Sequence, residues 1–251
     1  MEIGHVLFID SVRYSTLLLD EQRELQSRLS EIVRGTEQFH IADEAGKLVR
    51  LPAGDGMALV FFTSPEAPLK CAVEINRALR NFPEIRVRMG IHSGPVNLVK
   101  DVDGRTNVAG AGINLAQRVM DCGDGGHILL SKRIADDLAQ SREWRPHLHD
   151  LGECAVKHGV AVSIVNFYEN GVGSSAIPTK IAKAREEQRS LAAASKGRLF
   201  SKRNFILGAI VLVAALIAFV VYQRRSQQKS VAVLPFENMS KIGRASCRER
   251  V

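Results

Sequence analysis

Apolar positions along the first 170 residues follow two periods. Val6–Ile9 is a short apolar run stopped by Asp10, as in a buried strand. Leu17–Val33 places Leu18, Leu25, Leu29 and Ile32 among charges, the spacing of an amphipathic helix. Lys47–Phe62 is apolar on both sides of Gly54-Asp55-Gly56, and Asp-Gly between two strand-like runs predicts a hairpin, because glycine takes positive φ freely. Pro68–Leu79 has Cys71, Ile75 and Leu79 on one face and proline in its first turn, so it reads as a second helix. Ile85–Val96 alternates again and stops at Gly94-Pro95. The order is β-α-β-β-α-β, the split βαβ pattern of a ferredoxin-like α+β fold. That topology lays the end of the first strand beside the hairpin, so Asp10 and Asp55 are expected to meet.

Beyond this core, Asp101–Thr106 is a polar turn and Ala111–Asp121 a helix with Ile113, Ala116 and Met120 as its apolar stripe. Asn114 and Arg118, four apart, share a face away from that stripe. His127–Leu130 reads as a strand, Lys132–Ala139 as a short helix, and Leu148–Val156 with Val160–Tyr168 as a closing pair of strands. Residues 1–170 are thus expected to form one domain, followed by a linker and basic helix over 171–203. Phe205–Tyr222 is uncharged and apolar; at about 1.5 Å per residue it nearly crosses a hydrocarbon core of about 30 Å. A transmembrane helix is therefore placed at 204–223. Lys196, Arg198, Lys202 and Arg203 before it favour a cytoplasmic first domain, at the inner membrane of a bacterial cell. Residues 224–241 read as the start of a truncated extracytoplasmic domain, and 242–251 resemble a translated sequencing adapter.

Charge sharpens the division. The chain carries +7, but residues 180–203 hold eight Lys/Arg against two Glu and residues 224–251 hold seven against two, leaving the first 179 at −4. An acidic globular part does not favour nucleic-acid binding. Cys71, Cys122, Cys154 and Cys247 have no metal-ligand spacing and read as reduced thiols.

Four stretches coincide in order: LFIDSVRYS, the GDG hairpin, RMGIHSGPV and NVAGAGINLAQRVMDCGDGGHILLS. Together, over about residues 3–170, they resemble the catalytic domain of class III adenylate/guanylate cyclases. The resemblance implies a membrane-anchored enzyme that makes cyclic AMP and pyrophosphate from ATP, working as a homodimer. It implies two divalent ions, Mg²⁺ or Mn²⁺, held by Asp10, Asp55 and the backbone carbonyl of Ser11. Two such ions can activate an attacking hydroxyl and clamp departing phosphates, and hard cations take oxygen ligands. Asn114 and Arg118 match the family's catalytic pair, Lys157 a lysine on the terminal phosphates, and Gly54 the substrate-facing hairpin. In the family the metal half comes from one subunit and the Asn/Arg/Lys half from the other; this chain has both.

Three positions depart from the pattern. Leu51 stands where adenylate cyclases place a base-selecting lysine, and Asn107 where they place an aspartate. Arg13 replaces a glycine expected where the loop after Asp10 bends around the triphosphate. These departures keep two alternatives open: a guanylate or low-selectivity cyclase, and an inactive cyclase-like domain that binds nucleotide or dimerises to pass a signal.

Overall fold

A computed structural model of the chain describes residues 1–100, 104, 106–156 and 161–226. Residues Met1–Ser190 form one compact unit and Leu191–Val251 a second. In chain order the elements are β1 (Glu2–Ser11), α1 (Leu19–Arg34), α2 (Glu37–Glu44), β2 (Leu48–Ala53), β3 (Gly56–Phe61), α3 (Ala67–Ala78), β4 (Val87–Lys100), β5 (Thr106–Ala109), α4 (Ala111–Met120), β6 (Ile128–Ser131), α5 (Lys132–Leu138), β7 (Leu148–Ala155), β8 (Ala161–Phe167) and α6 (Thr179–Ser226).

The strands form one sheet in the order β2-β3-β1-β4-β6-β8-β7, with β5 paired to β4. Its first four strands have the split βαβ order read from the sequence: β1 lies between β3 and β4 and is antiparallel to both. β1 buries both faces, as alternation on a pleated strand allows. Leu7 and Ile9 join α1–α3 in the larger core, while Val6 and Phe8 pack with Ala58, Val60, Ala116 and Met120 under α4. Each such side chain contributes about 1.5–3 kcal/mol on leaving water.

Several details differ from the sequence pattern. Leu18 is the N-cap of α1 and exposed, while Leu29 and Val33 carry the buried face. The short α2, not expected from sequence, buries Phe39 and Ala42 against α3. The hairpin turn is Gly54-Asp55 rather than Asp55-Gly56: Ala53 pairs with Gly56, and Gly54 takes φ 61° at the first central position. β4 runs to Lys100 and forms a second hairpin with β5. The compact unit also runs past residue 170. Val172 and Ile181 are buried, so the start of the segment expected as linker and basic helix is packed against the domain.

In the second unit, Gly208–Arg225 is long and apolar enough to cross a membrane, and none of it is buried. The segments expected at 227–251, and with them Cys247, lie outside the described residues.

Candidate active site

An open cavity of about 770 Å³ lies between the β2–β3 hairpin, the ends of β1 and β4, and α4. Asp10, Leu51, Gly54, Asp55 and Asn114 line it, five of the residues picked out from sequence. Sheet register brings the first four there. Asp10 sits opposite Gly56 on β3 and opposite Arg88 on β4, so the hairpin turn lies beside the end of β1. The Asp55 carboxyl comes within hydrogen-bonding reach of the Asp10 carboxyl. Burial is the main force raising the Asp10 pKa, and Asp55 adds to it, whereas Arg88 opposes. Asp10 does not cap a helix: the next helical turn, Tyr14–Thr16, starts from Arg13 without a side-chain cap.

Arg88 is the residue that the sequence reading missed at the centre of the site. Its Nε donates to Asp10 Oδ2 at 2.8 Å, and Nη2 forms ion pairs at 2.8 Å with the same oxygen and at 3.4 Å with Asp121 Oδ1. Gln117 and Asp121 also line the cavity. They follow Asn114 by three and seven positions, so one helical face carries all three. That spacing was the available signal for both, and the alternation of β4 was the signal for Arg88.

Ser11, Asn107 and Arg118 lie outside the cavity lining. Ser11 is buried, and its Oγ has no partner. The Asn107 side chain turns back on its own strand, with Oδ1 accepting the Val108 N–H at 2.7 Å. Arg118 is half-buried one turn beyond Asn114, about 40° further around α4 and off the cavity-facing line. Lys157 lies outside the described residues. Arg13, exposed, has φ 68° and ψ 18°, so the left-handed bend expected of a glycine is kept by an arginine.

A close crossing seats α4. A Cβ at Gly90 of β4 would run into the backbone of Ala116 and Met120, so the helix lies almost on the strand. Among the described residues no group of three or more His, Cys, Asp or Glu side chains could hold a metal ion. Two converging carboxylates suit a hard cation that completes its shell with water and substrate phosphate.

No protein-family model matches the chain, and no curated protein matches its sequence. Solved structures do match its fold. The adenylyl cyclase CyaB from P. aeruginosa superposes with a TM-score of 0.55 at 19% identity, over 67% of this chain and 95% of that one. The guanylate cyclase domain of RhGC from Catenaria anguillulae, solved with GTP, gives 0.54 at 17% identity, over 67% and 97%. An adenylate/guanylate cyclase/hydrolase from Silicibacter pomeroyi gives 0.51 at 23%, over 67% and 98%. The globular part of this chain therefore has the α+β fold of class III adenylyl and guanylyl cyclase catalytic domains.

Proposed function

We propose that the chain is a membrane-anchored nucleotidyl cyclase that converts a nucleoside triphosphate, ATP by expectation, into its 3′,5′-cyclic monophosphate and pyrophosphate. The observation that carries this reading is the convergence of Asp10 and Asp55 on a cavity shared with Asn114, in a domain of cyclase fold. In the reaction the ribose 3′-oxygen bonds the α-phosphorus as the bond to the bridging oxygen breaks. Pyrophosphate leaves, and the hydroxyl proton passes to solvent.

Asp10 and Asp55 would hold two divalent ions, Mg²⁺ or Mn²⁺, with the Ser11 carbonyl adding a ligand. Such ions supply Lewis acidity and offset triphosphate charge. Arg88, whose guanidinium pairs with Asp10 in the cavity, adds fixed positive charge beside the triphosphate. Asn114 orients the ribose, and Arg118 and Lys157 stabilise charge on the phosphates of a nucleotide shared across a homodimer. Leu51 packs against the base; Asn107, its Oδ1 held by the Val108 N–H, would have to turn from its own strand to meet the base with its amide. The helix over Gly208–Arg225 anchors the enzyme at the inner membrane, with the catalytic domain on the cytoplasmic side.

The test is turnover of the full chain with Mn²⁺ and either ATP or GTP. Cyclic product that disappears in Asp55→Ala supports the cyclase. Comparable turnover of both nucleotides would mark a low-selectivity enzyme. A second reading, a domain that binds nucleotide without cyclising it, draws on the Arg88 fork already engaged by Asp10. Nucleotide-dependent dimerisation with no product from either triphosphate would establish that reading instead.

A further inference from the structure

The segment after β8 is fastened to the domain at successive points. Glu169 and Val172 form a β-bridge, and Asn166 Nδ2 donates to the Ser174 carbonyl at 2.7 Å. His127 Nε2 lies 2.8 Å from the Ala176 carbonyl while its Nδ1 faces the Asp124 N–H at 3.1 Å, a pair of contacts that places the proton on Nε2. Asp124 Oδ2 accepts both the backbone N–H of Thr179, at 2.7 Å, and its hydroxyl, at 2.8 Å. It thereby caps the start of α6 from a distant loop. Two residues on, Ile181 is 2% exposed and sits in a cluster with Val119, Cys122, Leu151 and Cys154. Arg185 closes the row by donating to the Leu151 carbonyl at 2.7 Å.

Before Ser174 the segment belongs to the other side of the sheet, with Val172 buried in the core under α1–α3 and the Gly173 N–H donating to Asn76 Oδ1 of α3 at 3.3 Å. From Ala176 onward the attachments converge on one part of the molecule. Val119 belongs to α4, which carries Asn114 and Arg118, and Cys122 follows directly after it. Asp124 and His127 belong to the loop after α4, whose first residue, Asp121, reaches the cavity and Arg88. Leu151 and Cys154 belong to β7, the strand that leads to Lys157. None of the six attachment points named here lies on β1 or the β2–β3 hairpin.

We propose that residues 176–185 are a positioning strap for α4, with Ile181 as its wedge and the Asp124–Thr179 contact as its clasp. The strap fixes α4 on the sheet, and with it Asn114 and Arg118, the half of the site that each protomer would present to its partner's carboxylates. Neither Ile181 nor Asp124 lines the cavity, so both act through α4. The catalytic part of this inference rests on the cyclase reading; the structural part does not.

The test uses the full chain in detergent, with Ile181→Ala, Asp124→Ala, the conservative pair Ile181→Leu and Thr179→Ser, and Leu29→Ala as a cavity control on the opposite core. Hydrogen exchange of residues 111–120 is the first readout. Ile181→Ala and Asp124→Ala should speed it about tenfold or more, with the conservative pair and Leu29→Ala within about threefold of wild type. Turnover is the second: the two alanine variants should lose about tenfold or more in kcat with KM held within about threefold, and Ile181→Leu should restore it. Unchanged exchange in folded Ile181→Ala and Asp124→Ala protein, or an equal effect from Leu29→Ala, would overturn the strap. If the wild-type chain makes no cyclic product, the cyclase reading fails and hydrogen exchange alone decides the strap.

Discussion

The carboxylate half of the cavity rests on backbone pairing, whereas its helical half rests on packed surfaces. Asp10 is held between β3 and β4 by register, and a slip of one residue would move it to the other face of the sheet. Asp55 sits in a two-residue turn that the same register fixes. Asn114 has no such constraint. Its position follows from where α4 settles over Gly90, from the contacts of Ala116 and Met120 with Val6 and Phe8, and from Ile181 behind it. A cavity split this way can keep its carboxylate half formed while its helical half shifts. Substitutions in the two halves should therefore fail differently.

The largest effect is expected in the carboxylate half. On the cyclase proposal, Asp10→Ala or Asp55→Ala should lower turnover by about 10³-fold, since either would remove a ligand to ions that offset several kcal/mol of developing charge. Mn²⁺ binding, read by calorimetry with a nonhydrolysable triphosphate, should weaken in parallel. The thermal midpoint should separate the two: Asp55→Ala removes a carboxylate that repels half-buried Asp10 and should hold or raise it, whereas Asp10→Ala leaves Arg88 without its partner and should lower it. In the helical half, Asn114→Ala or Arg118→Ala should cost about 10²-fold in kcat and leave Mn²⁺ affinity unchanged. Loss of metal binding in either helix variant would erase the distinction between the halves.

The same contrast explains what could be read from the chain. The convergence of Asp10 and Asp55 was legible because it needs just strand order and the hairpin, and Val6–Ile9 and Lys47–Phe62 declare themselves by alternation. The helix face was half legible. Asn114 was found by motif, whereas Gln117 and Asp121 required knowing which side of α4 meets the sheet, which depends on the close crossing at Gly90. For Arg88 the alternation of β4 marks a face, but its partners lie on β1 and beyond α4, so spacing alone does not make it a site residue. The burial of Val172 and Ile181 was illegible for a related reason: Gly, Ser and Pro at 171–178 have the composition of a loop, and the atoms that hold this stretch belong to Asp124, His127 and Asn166.

Acid should loosen the helical half. His92, in β4, is buried with Nδ1 2.7 Å from Ser131 Oγ, and its ring lies beside Gly94, where α4 crosses at Gly112. Burial, with Arg133 nearby, lowers its pKa to about 4. The folded state thus refuses a proton that the unfolded chain accepts near pH 6.5. Stability from this group is complete above about pH 6.5 and is lost as pH falls toward 4. Between pH 7.5 and 5 the loss should be about 2 kcal/mol in urea melts. His92→Gln should flatten that segment of the curve, and an unchanged slope would remove His92 as its cause.

The smallest effect returns to the carboxylate half and tests how firmly register holds it. Arg13 keeps a left-handed backbone just beyond Asp10, which costs a non-glycine residue roughly 1–2 kcal/mol. Arg13→Gly removes that strain but adds freedom to the unfolded chain, an opposing cost of about 0.5–1 kcal/mol. The net expectation is a gain of about 0.5–1 kcal/mol. Arg13→Val, β-branched at positive φ, should lose more than 1 kcal/mol on the same argument, roughly. The Arg13 side chain is exposed and outside the cavity lining, so turnover of Arg13→Gly should stay within about twofold of wild type. A tenfold fall would assign the guanidinium to phosphate binding after all. A tenfold rise would mean that the side chain obstructs the loop, and that the sheet places Asp10 correctly while its neighbour restrains the site.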